Sequence, residues 1–397
     1  MTDPAADSLP TTQLGSYQLV RRLASGGMAD IYLARQAGLD RYVAVKVLNT
    51  ARAGDPESCA LFIDEARVVG MLSHNNLASV YEVDTQNGLH YLAMEYVHGA
   101  DLREVLARAE ATNTALDYDC ALSLVMGAAQ GLDHAHRRCD PDGRPLHLVH
   151  RDVSLTNIMV SYEGVVKLID FGIAISTVSL HTTMPGVVRG KASYMSPEQC
   201  LGDPVDLRSD VFALGVVLYE LTTGRRCFQG HSDFERMLAV VRGDYVPPSV
   251  HVSDFPAALE QVIRTALSID PAHRFASAAA MIEALDTVAL LEGWTLDSHT
   301  TARMMTQLFG NPPALCVDRE DTYICSPPPV AVARAVQAQG HMHPPTRIIT
   351  RRRLARGTES DMFDAPHSPD AGDWQDDAPT RGRRSLSRIS YEALVAA

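Results

Sequence analysis

The chain has 397 residues, 46% of them hydrophobic, with a formal charge of -13. That is enough to bury a large core, and too long for one ordinary domain of about 100–200 residues. The charge sits in the first 311 residues, because from Pro312 onward eleven Arg balance eleven Asp and Glu. So acidic a body is a poor nonspecific binder of nucleic acid.

No stretch reaches the ~18 uninterrupted apolar residues of a membrane-spanning helix, and residues 1–10 carry no positive charge ahead of an apolar run, so no secretory signal is expected there. The seven cysteines are odd in number and scattered, with no C-x-x-C pair. That points to a reducing, cytoplasmic compartment and against a structural zinc site. Of 35 basic residues only Lys46, Lys167 and Lys191 are lysines. Arg-favouring codon use accounts for the skew, and each lysine kept is a candidate for work Arg cannot do.

Residues 1–16 read as a disordered lead-in. Strand patterns follow from Tyr17 to about Val47, separated by Gly-bearing turns. Helical spacing of Leu61, Phe62, Ala66, Val69 and Leu72 predicts a helix over Pro56–Ser73. Two more strands flank the hairpin signal Gln86–Asn87–Gly88. After a connector at Val97–Ala100 the pattern turns helical: Leu102–Ala109, Ala121–Arg137, Val211–Gly224, Phe234–Arg242, Pro256–Leu267 and Ala276–Leu290, interrupted by short strands and loops over Leu148–Pro197. A further helix covers Asp297–Phe309, and residues 312–397, rich in Pro, Arg and Asp, read as a disordered tail. The order predicts an α+β protein of two lobes, β-rich over 17–97 and α-rich over 98–291, with a ligand cleft between them.

Four motifs carry chemistry, in one order. Leu23, Ala24, Ser25, Gly26, Gly27, Met28, Ala29, Asp30 and Ile31 form a Gly-bearing turn between strands, whose backbone N–H groups can meet phosphates. It departs from G-x-G-x-x-G, with Ala24 and Ala29 at the first and third positions. On the next strand Val43 and Val45 share one face, and Ala44 and Lys46 the other. If that second face lines the cleft, Lys46 needs a counter-charge, and Glu65 is the candidate ahead of Asp64. Within His150–Arg151–Asp152–Val153–Ser154–Leu155–Thr156–Asn157, Asp152 can orient an attacking hydroxyl and Asn157 can offer an oxygen to a divalent cation. Finally Asp170–Phe171–Gly172, thirteen residues after Asn157, supplies a carboxylate for Mg²⁺, with Mn²⁺ as the alternative.

These motifs together resemble the eukaryotic-like (Hanks-type) serine/threonine protein kinases of bacteria over about Tyr17–Leu291. The resemblance extends to Ser196–Pro197–Glu198–Gln199, to Ser209–Asp210 and to Asp270–Pro271 with Arg274. It implies transfer of the ATP γ-phosphoryl to protein hydroxyls, Ser or Thr rather than Tyr, since the Arg-bearing catalytic loop of tyrosine kinases is missing. It further implies that Glu198 pairs with Arg274 and that Asp210 ties its helix to the catalytic loop. Met94 falls at the gatekeeper position, Glu95 and Val97 where backbone bonds adenine, Met159 within the nucleotide site, and Asp101 at the ribose. Arg151 resembles a clamp for a phosphorylated activation loop, with Thr177, Ser179, Thr182 and Thr183 as acceptors, so autophosphorylation is an implied switch. The implied partners are ATP, protein substrates and the chain itself.

Two positions depart from the family. Ser154 stands where a Lys usually meets the γ-phosphate, and Lys191 where a Thr usually bonds the catalytic Asp. An exchange of roles follows as an expectation, Lys191 supplying the ammonium and Ser154 the hydroxyl. The competing reading is a pseudokinase scaffold, favoured by Ala24 and the missing Lys and opposed by the joint presence of Lys46, Glu65, Asp152, Asn157 and Asp170.

Overall fold

The structure, a computed structural model, describes residues 13–49, 55–140, 142–171 and 191–313. It has the expected two-lobed α+β architecture. The first lobe is a six-stranded antiparallel sheet in the order β1-β2-β3-β4-β6-β5, from β1 (Gln13–Leu14), β2 (Tyr17–Ser25), β3 (Ala29–Gln36), β4 (Arg41–Leu48), β5 (Val80–Gln86) and β6 (Leu89–Glu95), with one helix, α1 (Pro56–Gly70). Strand β1 corrects the lead-in reading: Gln13 and Leu14 pair with Gln18 and Tyr17, and Leu14 is fully buried. Two residues are too short for a period to show, so the strand was invisible in the pattern. Asn87 and Gly88 both have positive φ, 53° and 77°, the backbone that the β5–β6 hairpin turn requires.

The sheet's two faces do different work. Val43, Val45 and Val47 pack with Tyr17, Tyr32 and Tyr91 into one apolar cluster. Leu48 and Leu92 turn to the other side, against Phe62 and Ala66 of α1. Ala44 and Lys46 share this second face, opposite Met94 and Leu92 in register.

The second lobe follows a three-stranded sheet of β7 (Gly99–Asp101), β8 (Ile158–Ser161) and β9 (Val166–Leu168). Its helices are α2 (Leu102–Ala111), α3 (Tyr118–His136), α4 (Pro197–Leu201), α5 (Leu207–Thr223), α6 (Asp233–Arg242), α7 (Pro248–His251), α8 (Ala257–Ala266), α9 (Ala278–Glu292) and α10 (Ser298–Phe309). Helix α5 is buried on every side from Ser209 to Thr222, which marks it as the centre of the lobe. Gly215 lets it approach α8, since a Cβ there would lie 2.7 Å from the Ala266 methyl. Helix α4 fell outside the predicted helices because one turn shows no apolar period. It is set instead by the Ser196–Gln199 capping box, Pro197 at its start and Gly202 at its end. Among the described residues no helix is long and apolar enough to cross a membrane.

Helix α10 locks onto the β8–β9 turn. The Thr301 hydroxyl donates to the Gly164 carbonyl (2.6 Å), and Arg108 Nε of α2 donates to the Leu308 carbonyl (2.9 Å). Gly164 has φ +84°, and a Cβ on it would collide with the Ser298 carbonyl and the Ala302 nitrogen. Gly143 has a similar φ, +79°, but open space around it. Substitution by Ala therefore separates backbone strain from collision. Gly143→Ala is expected to cost about 1 kcal/mol and Gly164→Ala about 2–4 kcal/mol in denaturant unfolding; equal costs would mean that α10 is not seated on this turn.

Candidate active site

The site is assembled where the two lobes meet. Lys46 of β4 reaches Glu65 Oε1 of α1 (3.1 Å) and Asp170 Oδ1 just beyond β9 (3.0 Å). Asp64, the alternative partner, is exposed and pairs with Arg67 instead. Helix α1 explains the choice: Phe62 and Ala66 face the sheet, and Glu65 lies on that buried side. Burial alone would lower the Lys46 pKa, but the charges of Asp170 and Glu65 outweigh it and hold the ammonium well above the lysine range. Burial raises the Glu65 carboxyl, against the pull of Lys46. Lys46 is thus a fixed cation carrying two carboxylates.

The loop from His150 to Asn157 is shaped by a carboxylate beneath it. Asp210 of α5, 1% exposed, accepts the backbone N–H groups of His150 and Arg151, each at 2.8 Å, and meets His136 Nε2 of α3 at 2.8 Å. Arg151 is held at φ +65°, a conformation that costs about 1–3 kcal/mol for such a residue. Although burial disfavours its charge, the His136 hydrogen bond keeps Asp210 below the usual carboxylate range. His136 escaped the sequence reading; its signal is its place in the last turn of a helix, following the buried Leu132 and Ala135.

Asp152 and Asn157 are brought together at the loop's end. The Asn157 amide donates to the Asp152 carbonyl (2.7 Å) and to Asp152 Oδ2 (2.8 Å). With its N–H₂ so committed, Asn157 turns its carbonyl oxygen the other way, where the Thr156 hydroxyl lies 3.5 Å off. Asp170, at φ +52°, follows just beyond β9. Among the described residues no cluster of three or more His, Cys, Asp or Glu forms a metal cage. An Asp–Asn pair nonetheless fits Mg²⁺, which takes one or two protein oxygens and completes its shell with phosphate and water. Ser154 is 1% exposed and lies 3.0 Å from the Thr156 hydroxyl.

Ala44, Met94 and Val97 are buried around the cleft, with Met159 half-buried opposite Lys167 in the β8–β9 register. Asp101 does a job the sequence reading did not consider: its Oδ1 accepts the Glu104 N–H (2.8 Å) as the N-cap of α2, and burial raises its carboxyl. The turn Gly26–Met28 joins β2 to β3. Gly26 N–H bonds the Ala29 carbonyl (3.0 Å), Ser25 Oγ bonds Asp30 Oδ1 (2.6 Å), and Asn49 holds the Gly26 carbonyl (2.9 Å). Leu23 and Ala24 end β2, with Ala24 paired to Ile31. Gly172, Thr177, Ser179, Thr182, Thr183 and the Lys191 side chain lie outside the described residues, though Lys191 opens a 3-10 turn to Tyr194. Among the described residues the Arg151 guanidinium has no ion-pair partner.

Glu198 and Arg274 form a buried bidentate pair, both contacts 2.7 Å, with Ser209 also donating to Glu198. Burial opposes the charge on Glu198, yet Arg274 and Ser209 depress its pKa. Stability from this depression is present above the unfolded carboxyl value of about 4.3 and lost as pH falls through the lower folded value. Glu198→Gln is expected to cost about 3–5 kcal/mol at pH 7 by stranding the Arg274 charge. The gap in melting temperature from the unaltered protein should close as pH drops below about 4; a gap that persists would remove the pair from this role.

Comparison with known proteins places these features. A protein-family profile described as protein kinase domain matches residues 17–285. The tyrosine-protein kinase MasK of Myxococcus xanthus is 38% identical over 72% of this chain and 46% of its own length. The serine/threonine-protein kinase PknB of Mycobacterium tuberculosis is 39% identical over 67% of this chain and 41% of its own. For PrkC of Bacillus subtilis, a serine/threonine-protein kinase, the figures are 35%, 67% and 39%. The chain therefore spans less than half the length of the curated relatives it matches. The solved PknI kinase domain of Mycobacterium tuberculosis superposes with a TM-score of 0.54 and 28% identity, covering 71% of this chain and all of that one.

Proposed function

This chain belongs to the protein kinase family, and we propose that it transfers the γ-phosphoryl of ATP to Ser and Thr hydroxyls of proteins, including its own activation loop, in the cytoplasm. The observation that carries the reading is the joint geometry of Lys46, Glu65 and Asp170 beside the Asp152–Asn157 pair. A scaffold without catalysis has no need of a lysine bridging two carboxylates, which is costly to bury.

In this reading the adenine lies between Ala44 and Met159, bonded by the backbone at Glu95 and Val97, with Met94 behind it and Asp101 toward the ribose. The segment Leu23–Ile31 covers the phosphates. Lys46, positioned by Glu65, holds the α- and β-phosphates. Asp170 and Asn157 are the residues that would hold Mg²⁺, which would supply positive charge beside the transferred group. Asp152 accepts the proton of the attacking hydroxyl as the O–P bond forms and the bond to the departing ADP oxygen breaks. Positioning and charge supply most of the acceleration. The Arg-bearing catalytic loop typical of tyrosine kinases is missing from His150–Asn157 apart from Arg151, which favours Ser and Thr as acceptors over Tyr.

The test is incubation with labelled ATP, Mg²⁺ and a generic acceptor, followed by phosphoamino-acid analysis. Phosphoserine and phosphothreonine are expected from the unaltered protein. Asp152→Asn should lose about 10²–10⁴-fold in kcat while keeping nucleotide affinity within a few-fold. Phosphotyrosine as the main product would overturn the acceptor class, and full turnover by Asp152→Asn the role of Asp152.

The exchange of Ser154 and Lys191 belongs to the same reading. One charge-assisted contact to a transferring phosphoryl contributes about 2–4 kcal/mol. Lys191→Ala should therefore lower kcat at least about tenfold, and Ser154→Lys with Lys191→Thr should restore much of it. Unchanged kcat in Lys191→Ala would end the idea.

A further inference from the structure

Lys46 and Lys191 have places in the proposed chemistry; Lys167, the third lysine, does not. It lies on β9, three residues before Asp170, on the same face as Met159 across the β8–β9 pair. Its side chain is 12% exposed. The ammonium is 2.9 Å from Glu95 Oε1, 3.0 Å from Glu95 Oε2 and 3.4 Å from the Leu77 carbonyl. Glu95 ends β6, where the chain crosses between the lobes. Its backbone N–H donates to the Ser79 carbonyl (2.8 Å), and its carboxylate accepts the Ser79 N–H (3.1 Å). The loop from 71 to 79 is bonded to β9 on its other side, through Asn76 Nδ2 to the Val166 carbonyl (2.9 Å), Leu168 N–H to the Asn76 carbonyl (2.9 Å) and Ala78 N–H to the Leu168 carbonyl (3.1 Å).

We infer that Lys167 is a positioning residue for the adenine end of the nucleotide: it fixes the Glu95 backbone relative to β8 and β9. The inference rests on reading the cleft as an ATP site. Three acceptors surround one nitrogen, which suits the three donors of an ammonium and not a planar guanidinium. That accounts for a lysine in a chain where 32 of 35 basic residues are Arg. Without the ammonium, the Glu95 carboxylate keeps only the Ser79 N–H in a largely buried place and turns toward water. The connecting backbone then shifts with it, and a displacement of about 1 Å at a bound group can cost up to about 10²-fold. Because the shift lies on the adenine side, a ligand without phosphates should sense it as strongly as ATP does.

The experiment titrates ATP and adenosine separately into the full chain and its variants, alongside thermal melting and kcat at saturating ATP. Lys167→Met should weaken ATP and adenosine alike by about tenfold, with kcat within about threefold of the unaltered protein. Lys167→Arg keeps the charge but not the geometry and should weaken both by several-fold. Lys167→Met with Glu95→Gln strands no charge and should bind both more tightly than Lys167→Met alone. If Lys167→Met does not melt as a folded protein, the same two constants from the other two variants decide. Variants that melt lower but bind both ligands as tightly as the unaltered protein would overturn the inference, leaving Lys167 a stabilising residue only. Loss of ATP affinity with adenosine affinity intact would also overturn it, by moving the effect to the phosphates. Unaltered protein that bound neither ligand would overturn the kinase reading and this inference with it, whereas tight binding by that protein and by every variant overturns this one alone.

Discussion

The loop from His150 to Asn157 has its shape because a buried carboxylate lies under it. Asp210 accepts two consecutive backbone N–H groups, from His150 and Arg151, and a third contact from His136. Two successive N–H groups held on one carboxylate fix the chain through His150, and Arg151 at φ +65° then turns it toward Asp152. Strain of this size persists where the surroundings over-determine it, as α5, packed on every side, does here. The Gln199 side chain adds a fourth constraint by donating to the Arg151 carbonyl (3.0 Å). Asp152 and Asn157 then bond each other in a segment whose start is fixed from below and whose end runs into β8. The core of the lobe thus positions the site without touching the reacting groups.

A second constraint crosses the lobes. Lys46 belongs to the sheet, Glu65 to α1 and Asp170 to the strand end of the other lobe, and a single ammonium bonds two carboxylates from these separate elements. Any rotation of the sheet away from β9 separates Lys46 from Asp170 in a half-buried site, where an unpaired charge is expensive. The relative position of the lobes is therefore coupled to the charge state of three side chains.

Most of the fold was legible because its elements are long and their apolar periods clean: the Val43–Val45–Val47 alternation, the α1 stripe and the uninterrupted α5 all have periods that one sequence displays. What escaped is short or polar. Strand β1 has two residues, α4 one turn held by a capping box, and neither has a period to read. At the site, motif order located Lys46, Asp152, Asn157 and Asp170, since their spacing along the chain is itself the signal. His136 and Lys167 carry no such spacing. Each matters through a partner 74 or 72 residues away, Asp210 and Glu95, and only the packing of α3 on α5 and of β9 beside the lobe connector reveals the pair. Asp101 shows the opposite limit: its position suggested a ribose ligand, yet the same carboxylate also caps α2. A motif names a residue type at a place and does not exhaust what it bonds.

The apolar cores explain how the two lobes stay distinct yet connected. Most of the first lobe's buried side chains form two clusters of their own, one on each face of the sheet. Leu72 and Leu77, just past α1, instead belong to the large core of the second lobe, with Leu168 and Phe171. The C-terminal end of α1 is thereby rooted in the second lobe, while its middle, at Phe62 and Ala66, packs under the sheet. Among the described residues the sheet's ion pairs across the gap are Lys46 to Asp170 and Glu95 to Lys167. Apolar burial is non-directional and tolerates sliding, whereas a hydrogen-bonded ion pair is satisfied at one geometry. The arrangement gives the rooted helix a fixed base and leaves the sheet's position to be set by directional contacts, among them Lys46 bonding both carboxylates at once.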